Sequence, residues 1–137
     1  MNKQTDISIK NTIQNTSIGL ELYIFRLLFA VLRPVRIKYN LSINLILALN
    51  SCYLYSKLEK SQFYMTDIYK FNKYYSIPVM KRYIAILTLR GFIASVSQVE
   101  YRPLYYITAS GIEVIESIEQ YYSKELYLFA DRYHLEL

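Results

Sequence analysis

The chain has 137 residues, 53% of them hydrophobic, with 16 Lys and Arg against 11 Asp and Glu, a net charge of +5. That length suits one domain with a core of its own, and the hydrophobic share excludes a disordered chain. A single cysteine excludes an internal disulfide and a cysteine metal cluster, while the positive balance favours an acidic partner, nucleic acid or an anionic membrane surface.

Residues 1–15 are polar and rich in Asn and Thr, and read as a flexible N-terminus. Ser17 is placed to cap a first helix, 17–33, in which Leu20, Ile24, Leu27, Leu28 and Val31 cover more than one face. Pro34 is expected to end or bend it. The run "IGLELYIFRLLFAVL" is too short to span a bilayer and is interrupted by Glu21 and Arg26, so a cytoplasmic protein with no membrane partner is expected. A second helix is predicted from Ser42 to Ser56, with Leu45, Leu49 and Cys52 on one stripe. "FYM", Phe63 to Met65, suits a very short strand. Thr66 then looks like an N-cap with Asp67 in the first turn, opening a short helix that carries Ile68 and Phe71 inward.

Ser76 looks like the next N-cap, with Pro78 in the first turn. Met80, Ile84 and Leu87 recur at helical spacing, and Gly91 is a natural left-handed C-terminal residue. Two helices across a turn of a few residues outline a helix-turn-helix. The turn segment "IYKFNKYYS" contains no glycine, so it must be built differently or be longer than usual. "FIASVSQ" and "RPLYYIT" follow as the two strands of a hairpin, with Pro103 near its tip or on an edge. Thr108 caps a long last helix, 109–133. Ile112, Ile115, Ile118, Tyr122, Leu126, Phe129 and Tyr133 form its apolar stripe, with Glu113, Glu116 and Glu119 off it. A hairpin directly after the second helix of a helix-turn-helix is a wing. The expected architecture is therefore a single domain over 1–137, mainly α with a small β-hairpin wing. Its winged-helix core is 41–108, between the N-terminal helix 17–33 and the C-terminal helix 109–133.

Charge follows the same plan. Residues 1–32 carry a net +1, residues 33–102 a net +8 and residues 103–137 a net −4. An electropositive centre with an acidic tail suits a nucleic-acid-binding middle. Near the start of the predicted recognition helix, Val79, Lys81 and Arg82 can reach base edges: Arg82 a guanine edge, Val79 a thymine methyl. Lys70, Lys73 and Ser76 are better placed for phosphates, and Arg102 and Tyr101 for a contact from the wing. Lys81 and Arg82 would also suit the solvated face of any helix. Ala85, Ile86 and Leu89 lie off the Met80/Ile84/Leu87 face, and are covered by another element or meet a protein. Cys52, on an apolar stripe, reads as an inert buried thiol rather than a redox switch. No glycine phosphate loop, second histidine or paired nucleophile and base is present, so neither catalysis nor a metal or other cofactor is expected.

The order of elements resembles the MarR family of winged helix-turn-helix transcriptional regulators over roughly Leu41 to Ile118. "SIPVMKRYIAILTLRGFI" is similar to that family's recognition helix ending in Gly plus apolar residues. "YYITASG" is similar to its strand-to-helix exit of the type Leu-Thr-x-x-Gly. Related winged-helix regulators such as the PadR type share much of this pattern. The resemblance implies a homodimer through the first and last helices that reads two half-sites about one turn apart, ~34 Å. It implies double-stranded DNA as partner, repression of a nearby promoter, and a pocket for a small-molecule effector between the dimer helices and the DNA-binding lobe. Two other readings stand beside it: a winged-helix protein-interaction module, and a DNA-binding accessory protein of a plasmid or mobile element.

Overall fold

A computed structural model describes residues 29–96 and 102–132. The expected N-terminus 1–15, the helix cap at Ser17, the helix up to residue 28 and the wing tip with Tyr101 lie outside the described residues. Helix α1 covers the described residues 29–39 and α2 runs Ile43–Leu58. Then come β1 (Gln62–Phe63), α3 (Met65–Phe71), α4 (Ile77–Leu89), β2 (Ile93–Ser95), β3 (Tyr105–Ile107) and α5 (Ala109–Arg132). The strands form one antiparallel sheet in the order β1-β3-β2. Gln62 pairs with Tyr106 and Phe63 with Tyr105, while Ile93 pairs with Ile107 and Ser95 with Tyr105. Among the described residues no helix is long and apolar enough to cross a membrane.

Three local expectations are corrected. The first helix does not stop at residue 33: it continues through Pro34 to residue 39. A proline inside a helix costs about 3 kcal/mol. Here the extra turn buries Val35 completely and packs Tyr39 against the core that Leu32 also enters, and that burial offsets the cost. The short strand is Gln62–Phe63, not Phe63 to Met65. Thr66 is not an N-cap, because α3 starts two residues earlier than that cap requires, at Met65, with Tyr64 as its N-cap residue. There the Asp67 carboxylate accepts from the Tyr64 backbone N–H at 2.8 Å, the returning half of a capping box.

The core is one cluster drawn from all five helices and from β1 and β2: Leu32 and Val35 from α1, Leu45, Ile46, Leu49 and Cys52 from α2, Phe63, Ile68, then Met80, Ile84 and Leu87 from α4. Phe92, Ile93, Val114 and Ile115 close it at the wing and α5. Ser42 caps α2 by accepting from the Leu45 N–H at 3.2 Å, and Ser76 caps α4 by accepting from Val79 at 3.4 Å. Gly91 has φ 81° and ends α4 in a Schellman motif, with Phe92 N–H on the Leu87 carbonyl and Gly91 N–H on that of Thr88. Asn40, at φ 51°, ends α1 in the same left-handed way, with Leu41 N–H on the Arg36 carbonyl.

The turn between α3 and α4 is built by Asn72 in place of a glycine. Its Nδ2 donates to the buried Ser51 hydroxyl of α2 at 2.8 Å, and its Oδ1 accepts from the Tyr74 N–H at 3.2 Å. Such an Asx turn folds the backbone back on itself. Tyr75 adds a second tie, donating to Asn44 at 3.0 Å and meeting Tyr83 edge-on at 5.1 Å.

Where the wing returns to α5, Thr108 does three jobs. Its N–H donates to the Phe92 carbonyl, its hydroxyl donates to the Gly91 carbonyl at 2.6 Å, and that oxygen accepts from the Gly111 N–H. Gly111 is buried against this turn. A Cβ there would run into the Phe92 carbonyl oxygen and lie 2.7 Å from Ile107 Cγ1. Gly111→Ala is therefore expected to cost about 1–3 kcal/mol by overpacking, read as a lower urea midpoint. A midpoint equal to the parent's would show that α5 can shift freely here.

Cys52 is fully buried, and burial pushes its thiol well above the ordinary value of 9.0. The folded chain therefore keeps the thiol neutral where the unfolded chain ionises it. The resulting stabilisation is complete below pH 9.0 and declines as pH rises above it. Burial also raises Tyr75 and Tyr105 above 10.0, adding a further decline at higher pH. Urea midpoints should thus fall on the alkaline side, and Cys52→Ala should remove the earliest part of the fall. Midpoints that stay flat through pH 10.0 would contradict it.

Candidate nucleic-acid interface

The surface formed by α3, α4 and the wing is cationic. Its described residues include Lys70, Lys73, Lys81, Arg82 and Arg102 and one acid, Asp67, which is held by the Tyr64 backbone. Helix α4 lays its Met80/Ile84/Leu87 stripe on the core, and this turns Pro78, Lys81, Arg82, Ala85 and Leu89 outward. These positions recur at three and four residues, so they share one face. Its first half is charged and its second half apolar.

Lys81 and Arg82 are exposed on this face, and neither has a partner among the described residues. Ser76 sits exposed at the helix start; its oxygen accepts the capping bond and its hydroxyl hydrogen is left to donate. Val79 is half-buried, whereas Ile77 at the same end is 45% exposed. Ile77 is thus the apolar side chain that the helix start presents. Lys70, late in α3, and Lys73, in the turn, are both exposed.

Arg102 is exposed, and it is also engaged. Its Nη2 donates to Thr66 Oγ1 at 2.7 Å, and its guanidinium lies 4.8 Å from the centre of the Tyr64 ring. These contacts fasten the returning wing strand to the start of α3. Arg102 and Lys81 line one groove of about 400 Å³ between α3, α4 and the wing, with Ile77, Ile84 and Pro103. The structure therefore brings Lys81 and Arg102 together, and keeps Arg82 on the adjoining outer face. Of Ala85, Ile86 and Leu89, only Ile86 packs on the core; Ala85 is exposed and Leu89 is 88% exposed.

Two residues outside the sequence expectations shape this surface. Asn72 sets the turn that orients α4. Arg90, the last residue of the α4 end, turns its guanidinium away from the exposed face and onto the carbonyls of Tyr39 and Asn40. Asn in a glycine-free turn was a readable local signal. The 50-residue reach of Arg90 had none.

No family model matches the sequence. No curated protein matches it either. Solved structures do. MepR of Staphylococcus aureus, a transcription regulator of the multidrug efflux pump MepA, superposes with a TM-score of 0.68 at 15% identity, covering 85% of this chain and 82% of that one. A MepR variant bound to an oligodeoxyribonucleotide superposes with a TM-score of 0.67 at 14% identity, over 84% and 81% of the two chains. NadR in complex with 4-hydroxyphenylacetate gives 0.56 at 16% identity, over 83% and 77%. Apo MarR from E. coli gives 0.57 at 15% identity, over 93% of this chain and 81% of that one. The helix order, the three-stranded sheet and these superpositions agree: the chain has the winged helix-turn-helix fold of MarR-type transcription regulators.

Proposed function

We propose that this chain is a homodimeric, sequence-specific double-stranded DNA-binding protein of the MarR type that represses transcription. The observation that carries this reading is the exposed Lys81–Arg82 pair, without a partner among the described residues, on the outward face of α4 beside the Arg102 wing strand. Affinity for DNA comes mostly from phosphates, and specificity from side chains early in the recognition helix. Arg82 would read a guanine edge through its two-pronged guanidinium. Ile77, better exposed than Val79, would share the apolar contact with a thymine methyl. Lys70, Lys73, Lys81 and the Ser76 hydroxyl would meet phosphates, and Arg102 with Tyr101 would bring the wing to the backbone. That a MepR variant binds an oligodeoxyribonucleotide supports the choice of partner.

Dimerisation is supported by the exposed apolar side chains of the two flanking helices. These are Phe29 and Ile37 on α1, and Tyr121, Tyr122, Tyr127 and Leu128 on α5. Their charges are complementary: α1 carries Arg33, Arg36 and Lys38, and α5 carries Glu113, Glu116 and Glu119. An effector has room in a groove of about 360 Å³ between α2, the sheet and α5, where Tyr53, Lys57, Tyr106 and Ile112 meet. NadR's complex with a small hydroxylated acid supports looking for one.

The protein-interaction reading draws on Leu89, 88% exposed at the far end of α4. With Ile86 packed on the core, only Ala85 and Leu89 of the three are left exposed.

The test is fluorescence-anisotropy titration of duplex DNA across a salt series. Affinity should fall with salt at a log–log slope of about −0.9 per phosphate neutralised. Lys81→Ala should weaken binding to all sequences and reduce that slope by about 1. Arg82→Ala should cost about 1–3 kcal/mol on the preferred site and relax its specificity. Absence of salt-dependent binding to any duplex, or both variants binding like the parent, would rule the reading out.

A further inference from the structure

The last charged residue of α4 does not face where the other cations of that helix face. Arg90 is the C-cap of α4, and its side chain crosses to α1. Nη1 donates to the Asn40 carbonyl and Nη2 to the Tyr39 carbonyl, each at 2.5 Å. Carbonyls at a helix end lack partners within the helix and carry its negative dipole charge, so a guanidinium is a suitable cap. What is unusual is the direction of the cap: it comes from another helix, 50 residues further along the chain.

The contact sits in a built joint. Asn40 takes the left-handed conformation that ends α1 and aims its last carbonyls outward. The Arg90 guanidinium also lies 5.6 Å from the centre of the Phe92 ring, which Tyr39 meets edge-on at 6.4 Å. The Tyr39 hydroxyl lies 3.2 Å from the Ser117 hydroxyl of α5. The end of α4 is thus clipped to the end of α1, which Tyr39 ties in turn to Ser117 of α5, while its start is held by Asn72 and Tyr75. Arg90 is exposed, so each of its bonds adds little to stability. A planar, two-pronged donor on two successive carbonyls fixes a direction, which a lysine ammonium does not.

We propose that Arg90 is a positioning residue: it sets the angle of the recognition helix α4 against the flanking helices α1 and α5. The two recognition helices of a dimer are thereby presented to one half-site spacing. This rests on the DNA-binding reading above for its biological use, and on the joint alone for its geometry. Arg90→Lys keeps the charge beside the α1 carbonyls but loses the fork, and Arg90→Ala loses both.

Two measurements test it. The first uses duplexes with two half-sites whose separation is varied one base pair at a time. The parent chain should prefer one spacing over its neighbours by about tenfold, the sharpness expected when dimer geometry sets half-site separation. Arg90→Lys and Arg90→Ala should flatten that preference to roughly threefold or less, with affinity for a single half-site and its salt slope unchanged. A merely stabilising cap would lower the urea midpoint and leave the spacing profile as sharp as the parent's; that result would overturn the proposal. The second needs no DNA. Nitroxide labels on Ile37→Cys and Ala85→Cys, both exposed positions, report the α1–α4 distance in chains diluted with unlabelled protein. Buried Cys52 stays unlabelled. The distance distribution should be narrow in the parent and broad in Arg90→Ala. If the parent binds no duplex, the DNA-binding reading fails by itself. An unchanged distribution in Arg90→Ala sinks the joint whether or not DNA binds.

Discussion

The close approach of the first turn of α5 to the backbone at Phe92 is the constraint on which the rest depends. It needs Gly111, since a Cβ would occupy the space of the Phe92 carbonyl oxygen. It needs Gly91 in the left-handed conformation, so that α4 can stop and the chain can enter β2 within two residues. Thr108 then joins the two strands' ends by giving its N–H to Phe92 and its hydroxyl to Gly91. These contacts fix the base of the wing, the register of β2 against β3, and the direction in which α5 leaves the core. Arg90 and Tyr39 extend the same joint to α1. The recognition helix is consequently anchored at its C-terminal end to the wing, α5 and α1, and its N-terminal end is presented outward.

The electrostatics of the surface divide cations by what they already touch. Arg90 is committed to helix carbonyls and Arg102 to Thr66 and Tyr64. Lys70, Lys73, Lys81 and Arg82 are exposed and carry no such commitment among the described residues. An uncommitted cation is available to a phosphate, Arg102 is held at the rim of the same groove as Lys81, and Arg90 shapes the surface on which the others act. Among the described residues of α3, α4 and the wing the one acid, Asp67, is held by the Tyr64 N–H at the start of α3. The net charge of the middle of the chain is therefore expressed at its surface.

The helix-turn-helix itself is held by polar contacts that replace the usual small residues. Asn72 spans from the turn to the buried Ser51 of α2, and Tyr75 spans to Asn44 on the same helix. Aromatic side chains at Tyr75 and Tyr83 fill the space between the turn and α4. The tyrosine-rich composition is used here mainly for packing with a hydroxyl at the edge, as the half-buried Tyr39, Tyr55 and Tyr105 also show.

Much of this was legible in the chain itself. Ser42, Ser76 and Thr108 announce helix starts because a hydroxyl caps backbone N–H groups a few residues away. Met80, Ile84 and Leu87 announce the buried face of α4 because 3.6 residues make a turn, and Gly91 announces its end because only glycine adopts that conformation freely. All of these are local, so sequence spacing alone determined them. Local rules failed at Pro34 and Thr66. Burial of Val35 and Tyr39 carried α1 past the proline, and the backbone bond between Tyr64 and Asp67 moved the start of α3. Only the tertiary structure decided which cations are free, that Val79 is half-buried while Ile77 is exposed, and that Arg90 belongs to α1. Each of those depends on which groups 30 to 50 residues away arrive beside the side chain, and no spacing along the chain encodes that arrival.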